Sequence, residues 1–370
     1  MKSLTKHDEI FCELRAEIGA GKYATDPRLP SEAQLVRRFG VSRPTAARAL
    51  RDLQQTGLIE RRAGAGSFAL NTPAAAQSGP SLIALLVPGI GVTEVLDNLC
   101  GELAGLARGK DYGLMLTRPL PAKEHPMSVS KLAEALCRPL LERKVRGAFF
   151  APFEWMPGQE QANLSIAEHL RHAGIAVILL DRDLLPFPQR SDFDLVSLDN
   201  FSAGYVLTSH LLKLGCRRLQ FVARALSAPS VDWRYAGFRE ALLQHDLPVD
   251  PGAYAPLDPK SAQAVRASIR PQTEALVCAN DITAAELMNT LEAGGRRVPR
   301  DVRVVGFDDV KYATLMRPPL TTIHQPCGDL AAAAWHAMLA RIGDPTLPAR
   351  HVQLSGRLVV RDSCGVYLPR

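Results

Sequence analysis

No run of about 18 uninterrupted apolar residues occurs anywhere in this 370-residue chain, so no membrane span is predicted. The seven cysteines (Cys12, Cys100, Cys137, Cys216, Cys278, Cys327, Cys364) form no C-x-x-C pair, which excludes the usual zinc spacing and a disulfide framework; reduced thiols are expected. The nine histidines show no metal-ligand spacing, so no metal is expected. G-x-S-x-G, H-E-x-x-H and P-loop sequences are all missing, which leaves no catalytic residue to name, no cofactor and no enzyme class. "GIGVTEV" follows an apolar run but lacks the G-x-G-x-x-G fingerprint; it is expected to form a ligand-side loop. The opening "MKSLTKHDEIFCEL" is acidic and amphipathic, without an apolar core ahead of small residues, and predicts a cytoplasmic protein.

What is present fits a protein with a packed core: 46% apolar and 22% charged residues. The net charge of +6 is unevenly placed. Residues 1–70 carry twelve Lys/Arg against eight Asp/Glu, whereas the other 300 residues carry 32 against 30. Positive charge gathered in a small N-terminal unit hints at an anionic partner. The uncharged, Pro/Ala/Ser/Gly-rich "NTPAAAQSGPS" at 71–81 reads as a linker, giving expected domains of 1–70 and 82–370.

Beyond the linker, short apolar runs alternate with segments of helical spacing. The runs include "SLIALLVP" (81–88), "GAFFAPF" (147–153), "IAVILLD" (175–181), "RLQFVA" (218–223), "ALVCAN" (275–280) and "VRVVGF" (302–307). This pattern predicts an α/β fold with parallel sheets covered on both faces. Several runs end in polar residues, "LLDRD", "SLDN", "CAND" and "GFDD". Ligands of such sheets bind beyond the carboxyl ends of the strands, so a small-molecule site is expected along that rim.

Before the linker, Ile10, Leu14 and Ile18 make one stripe of a first helix. Ser31 with Gln34 three residues on is a capping box for a second helix. Ser42 is placed to cap a third, "RPTAARALRDLQQTG", in which Ala46, Ala49, Leu50 and Leu53 face inward and Pro44 sits in the first turn. Two helices joined by a tight turn at Gly40 form a helix-turn-helix, whose second helix presents its first turn to the major groove. "GLIERRAGAGSFAL" then reads as a hairpin wing, with Arg61 and Arg62 beside a Gly64-Ala65-Gly66 tip.

Residues 5 to 70 resemble the winged helix-turn-helix domain of the GntR family. The resemblance is carried by "LPSE" (29–32), "VSRPT" (41–45), "AL" (49–50), "GLI" (57–59) and "GAGSF" (64–68). It implies DNA contacts from Ser31, Glu32, Ser42, Arg43, Pro44, Thr45, Arg48, Arg62, Gly64 and Gly66, with Arg43 on a guanine edge. Ala33 and Ala47 stand where that family commonly has arginine, which implies an operator different from the common one; Arg48 reads either a base or a phosphate.

Residues 82 to about 365 resemble the two-lobed, periplasmic-binding-protein-like effector domain of LacI/GalR regulators. That resemblance rests on "VILLDRD" (177–183), "DNFSAGYVLTSHLLKLGCRRLQFV" (199–222), "WRYAGFREAL" (233–242), "ALVCANDITAAELMNTLEAGGRRVPRDVRVVGFDD" (275–309) and "RPPLTTIHQP" (317–326). It implies lobe crossovers near 198, 224 and 325, and an effector site of Asp181, Arg182, Arg234, Asn280, Asp308 and Gln325, with Glu94 and Glu154 weaker additions. An arginine fork among paired donors and acceptors suits sugar hydroxyls. Second readings stay open: Asp181 and Asp309 as helix caps, Arg182 in a surface salt bridge. The whole reading is a ligand-responsive transcriptional regulator, a repressor, acting as a homodimer on double-stranded DNA with a sugar-like effector and no membrane partner. Two rivals are weaker: a transport solute-binding component, against which the N-terminal helices speak, and an aminotransferase-like enzyme, for which no lysine stands at a strand end.

Overall fold

The computed structural model describes residues 6–19, 22–23, 26–62, 66–70, 81–87, 93–108, 112–117, 129–154 and 158–368. The chain divides into two compact units, Met1–Gly79 and Pro80–Arg370. The expected linker lies outside the described residues except for Ser81, which opens a strand.

The first unit holds α1 (Lys6–Gly19), α2 (Glu32–Phe39), α3 (Arg43–Gln55), β1 (Ile59–Arg62) and β2 (Gly66–Ala69). Ile10, Leu14, Leu35, Ala46, Ala49, Leu50, Leu53 and Ile59 close one core among them. The capping box forms as its sequence dictates: Gln34 N donates to Ser31 Oγ while Ser31 N donates to Gln34 Oε1 at 2.8 Å. Gly40 ends α2 at φ +63°, the left-handed conformation that glycine adopts without a steric cost. Ser42 departs from expectation, since its hydroxyl makes no cap bond to a backbone N–H. It pairs instead with Thr45 Oγ1 at 2.8 Å, a competing local partner on the first turn. The wing is an antiparallel pair running from Ile59↔Ala69 to Arg62↔Gly66, and Arg28 adds a bridge to Phe68. His7 Nε2 and Asp52 Oδ2, 2.8 Å apart, tie α1 to α3.

The second unit has two lobes. Lobe 1 contains β3 (Ser81–Leu86), α4 (Glu94–Arg108), β4 (Tyr112–Thr117), α5 (Val129–Glu142), β5 (Gly147–Phe150), α6 (Gln159–His172), β6 (Ala176–Leu180) and β7 (Asp194–Leu198). Lobe 2 contains α7 (Asn200–Lys213), β8 (Leu219–Ala223), α8 (Pro229–Leu243), β9 (Tyr254–Pro256), α9 (Ala262–Ser268), β10 (Ala275–Cys278), α10 (Asp281–Ala293) and β11 (Arg303–Val305). The tail supplies β12 (Thr322–His324), α11 (Cys327–Gly343), β13 (His351–Leu354) and β14 (Arg357–Val359). Lobe 1 is a parallel sheet ordered β13-β7-β6-β5-β3-β4; lobe 2 is a parallel sheet ordered β11-β10-β8-β9.

Inner strands β5, β7, β8 and β10 are buried at every residue, because helices cover both faces. Trp335 of α11 fills the lobe 1 core edge-on to Tyr112, with ring centroids 5.6 Å apart. The chain crosses between lobes at 198–200 and at 324–327. The crossing expected near 224 is not there. After Ala223 the chain enters α8 of the same lobe, and the third crossing lies at 354–357, where β13 in the lobe 1 sheet leads to β14 paired with β12.

The crossing of α7 on α8 positions the cleft. A Cβ on Gly204 would land on the Arg234 carbonyl, and one on Gly237 on the Phe201 carbonyl. The two helices therefore approach backbone to backbone, which fixes the height of Arg234 in the cleft. Gly237→Ala must push them apart, costing about 1–3 kcal/mol as overpacking does. A lowered melting temperature is the expected outcome; an unchanged one would mean the helices re-space freely.

Candidate functional site

In the first unit Glu32 joins the start of α3 to the wing. Its carboxylate holds Arg61 of the wing at 2.7 Å and lies 3.8 Å from Arg43 Nε at the start of α3. The entry to α2, the first turn of α3 and the wing strand thus converge on one place. Ser31, Ser42, Arg43, Pro44 and Arg48 are exposed there, and Thr45 is half-exposed with its hydroxyl on Ser42. Arg62 pairs with Glu60 at 3.0 Å and lies 5.2 Å from the Phe68 ring centre. Gly66 takes φ +115° beside the Arg28 side chain; Gly64 lies outside the described residues. Arg61, which flanks the wing tip in the sequence but is not among the implied DNA contacts, joins this place through Glu32.

The second site forms along the carboxyl ends of the strands. β6 delivers Asp181 and Arg182, β7 delivers Asn200, β10 delivers Asn280, β11 delivers Asp308, β12 delivers Gln325, and the segment after β5 delivers Glu154. Arg182 is buried, not a surface salt bridge: its guanidinium lies 2.7 Å from Glu154 and 2.8 Å from Asp181. Burial opposes its charge, but the two carboxylates outweigh that and hold it protonated. Asp181 is therefore an ion-pair partner rather than a helix cap, at a left-handed φ of 68°. Asp309 likewise pairs, with Arg361 at 2.6 Å and His324 at 3.0 Å.

Arg234 is buried, with Nε donating to Asn200 Oδ1 at 2.8 Å and Nη1 donating to the Ala279 carbonyl. Its guanidinium lies 4.7 Å from the Phe307 ring centre. Asn200 and Phe307 are positioning residues the sequence reading passed over, though Asn200 sits in the "SLDN" rim. Asn280 spends its carbonyl on the α10 cap, accepting from Thr283 N at 2.9 Å. Glu94 accepts from Lys311 N at 3.0 Å, which ties the lobes at one side of the cleft.

Asp308 accepts from Gln325 Nε2 at 2.8 Å and holds φ at 120°, a strained value for a residue with a side chain. Burial pushes its carboxyl up to about 6 against the pull of Arg234 and Gln325, while Asp181 and Glu154 add to the rise. Contacts within this cluster join Arg182 to Glu154 and Asp181, and Gln325 to Asp308. A cavity of about 600 Å³ reaches Asp308 and Gln325 from the α4 side. A larger one, about 710 Å³, opens at the opposite end of the lobe 1 strands around the Arg341–Asp194 ion pair and shares no residue with the cluster. Across the cleft Phe187 of lobe 1 packs edge-on against Trp233 of lobe 2, centroids 4.5 Å apart.

An acid whose folded pKa is raised binds its proton more tightly folded than unfolded, so it costs stability increasingly as pH rises from its unfolded pKa to its folded one, and fully above that. For Asp308 the cost is absent below about 4 and complete above about 6. Asp308→Asn is accordingly expected to raise the melting temperature at pH 8 and to give no gain at pH 4. A gain independent of pH would show that the carboxyl does not titrate in this window.

The arrangement has counterparts among known proteins. Residues 6–68 match the model for bacterial regulatory proteins of the gntR family, and residues 208–364 match a periplasmic binding protein-like domain. The chain is 27% identical over 354 residues to the arabinose metabolism transcriptional repressor of Geobacillus stearothermophilus, covering 92% of both chains. It is 29% identical over 178 residues to the transcriptional repressor PurR of Haemophilus influenzae, 46% of this chain and 53% of that one, so it spans about half the length of that relative. Among solved structures, a LacI family regulator from Enterococcus faecium with bound ribose shares 25% identity at TM-score 0.61, over 76% of this chain and 98% of that one. The regulator CelR in complex with cellobiose shares the fold at TM-score 0.64 and 22% identity, over 87% and 91%. The two curated relatives are transcriptional repressors by name.

Proposed function

We propose that this chain, a gntR-type DNA-binding domain joined to a periplasmic-binding-protein-like domain, is a repressor whose grip on DNA is set by a small sugar held between the lobes of its second unit. The observation that carries this reading is the cluster of Asp181, Arg182, Arg234, Asp308 and Gln325 at the strand ends of both lobes. Carboxylates, an amide and a buried arginine fork supply the paired donors and acceptors that vicinal hydroxyls require. Relatives of this architecture hold ribose or cellobiose, and one governs arabinose metabolism.

The contacts at Glu94 and Phe187 join the two lobes, and a ligand between them acts only through its unequal affinity for their open and closed arrangements. Operators of two-fold symmetry, read by a homodimer with Arg43 in each half-site, complete the proposal. The test is a thermal-shift screen of the full chain against neutral sugars, arabinose first, with sugar acids and nucleosides alongside. At a hundredfold excess over Kd, binding stabilises the folded state by about 2.7 kcal/mol, a rise of roughly 5–10 °C. No rise with any compound would remove the sugar sensor and leave the second unit as a pairing module.

A further inference from the structure

We propose that Glu154 is a specificity-determining residue that fills a built anion position in the cleft, so that the site admits neutral polyols and turns away sugar acids and sugar phosphates. The inference rests on the reading of the cleft as a sugar site and names the class of sugar.

Two sources of positive charge meet at this carboxylate. One is Arg182, 5% exposed, whose Nη1 lies 2.7 Å from Glu154 Oε1. That contact pairs the two charges directly. The other is the N-terminus of α8, a 15-residue helix in the opposite lobe. Its N-cap is Ala228, which has no side chain to accept from the first turn, and Pro229 follows it. Glu154 Oε2 accepts from Ala228 N at 3.2 Å, so the carboxylate stands at the positive end of that helix. An internal side chain thus occupies the place where a helix terminus and a buried guanidinium would otherwise hold a ligand's carboxylate or phosphate.

Among the described residues, carboxylates already face both buried guanidinium groups of the cleft. Asp181 also neutralises Arg182, and Asp308 faces the field of Arg234. An anionic ligand would have to expel Glu154 or lie against Asp181 and Asp308 in a medium of low dielectric, where like charges repel strongly. A neutral polyol meets no such penalty and donates its hydroxyls to the same carboxylates.

The experiment uses the full chain as wild type, Glu154→Gln and Glu154→Ala. Affinities are measured for inorganic phosphate at fixed ionic strength, for arabinose and for arabinonate. The wild type is expected to bind neither anion measurably, and both variants to gain at least tenfold affinity for phosphate and arabinonate, Glu154→Ala the more. Glu154→Gln keeps the side-chain volume and carries the test if the alanine variant fails to fold. Folded variants that gain no affinity for phosphate overturn the assignment, as does a wild type that prefers arabinonate to arabinose tenfold. If no sugar binds any of the proteins but the variants gain phosphate, Glu154 is upheld as the occupant of the anion position and the sugar reading is what fails. If arabinose binds and the variants gain nothing, the sugar reading stands and the role of Glu154 is lost.

Discussion

Arg43→Ala is expected to abolish sequence-specific DNA binding while leaving the melting temperature of the full chain unchanged. The Arg43 side chain is 77% exposed, and its ion pair with Glu32 at 3.8 Å is of a kind that contributes at most about 1 kcal/mol. Its removal therefore leaves the core of Ile10, Leu35 and Leu50 untouched. On DNA the same guanidinium, at the first turn of α3, can bond the O6 and N7 edge of guanine. Each such contact discriminates by about 1–3 kcal/mol. Two half-sites double the loss, to roughly 30-fold to 3 × 10⁴-fold in affinity for the specific site. Fluorescence anisotropy on a selected duplex and on a scrambled one separates this from a general phosphate effect, which would weaken both alike. A variant that loses its fold would instead make Arg43 structural, and one that keeps specificity would remove it from the readout.

The second large effect is expected from Arg234→Ala: loss of ligand binding together with a substantial loss of stability. Arg234 is buried, holds Asn200 and the Ala279 carbonyl, and moderates the rise in the Asp308 pKa. Its truncation leaves the Asn200 amide oxygen and the Ala279 carbonyl without this buried donor, a class of change that costs about 1–3 kcal/mol for each. For a unit of this size that is a fall on the order of 10 °C. Arg234→Lys distinguishes binding from folding, because the ammonium keeps the charge and loses the planar fork. Its melting temperature is expected to fall less, with ligand affinity still down about a hundredfold. DNA affinity of either variant, measured below its melting temperature, should match the wild type and ignore added sugar. A retained ligand response in Arg234→Lys would place the sugar elsewhere.

Which features were legible in the sequence follows from the range of the interactions that make them. The Ser31–Gln34 capping box, the Leu50–Leu53 face of α3 and the buried strands are short-range patterns, and they form where the spacing puts them. The polar strand ends also assemble on one rim, because parallel strands point all their carboxyl ends the same way. Longer-range matters were hidden. β13 joins the lobe 1 sheet by pairing His351 with Leu195, and nothing local marks that partnership, so the third crossing was misplaced near 224. The loop after Ala223 looks like the other strand-end loops, yet it stays within one lobe. Ser42 found Thr45 instead of the backbone because two hydroxyls on one turn compete for each other. Asn200 and Glu154 matter through partners 34 and 74 residues away, which spacing alone does not reveal.

The most direct test of the central claim joins both units in one measurement. The full chain is used to select duplexes from a random pool, and the enriched sequence is then titrated with and without each neutral sugar that raises the melting temperature. The account predicts a two-fold related sequence whose apparent Kd shifts at least tenfold with one sugar, and whose enrichment fails with Arg43→Ala. Selection of no sequence, or an operator affinity indifferent to every sugar that binds, would contradict it.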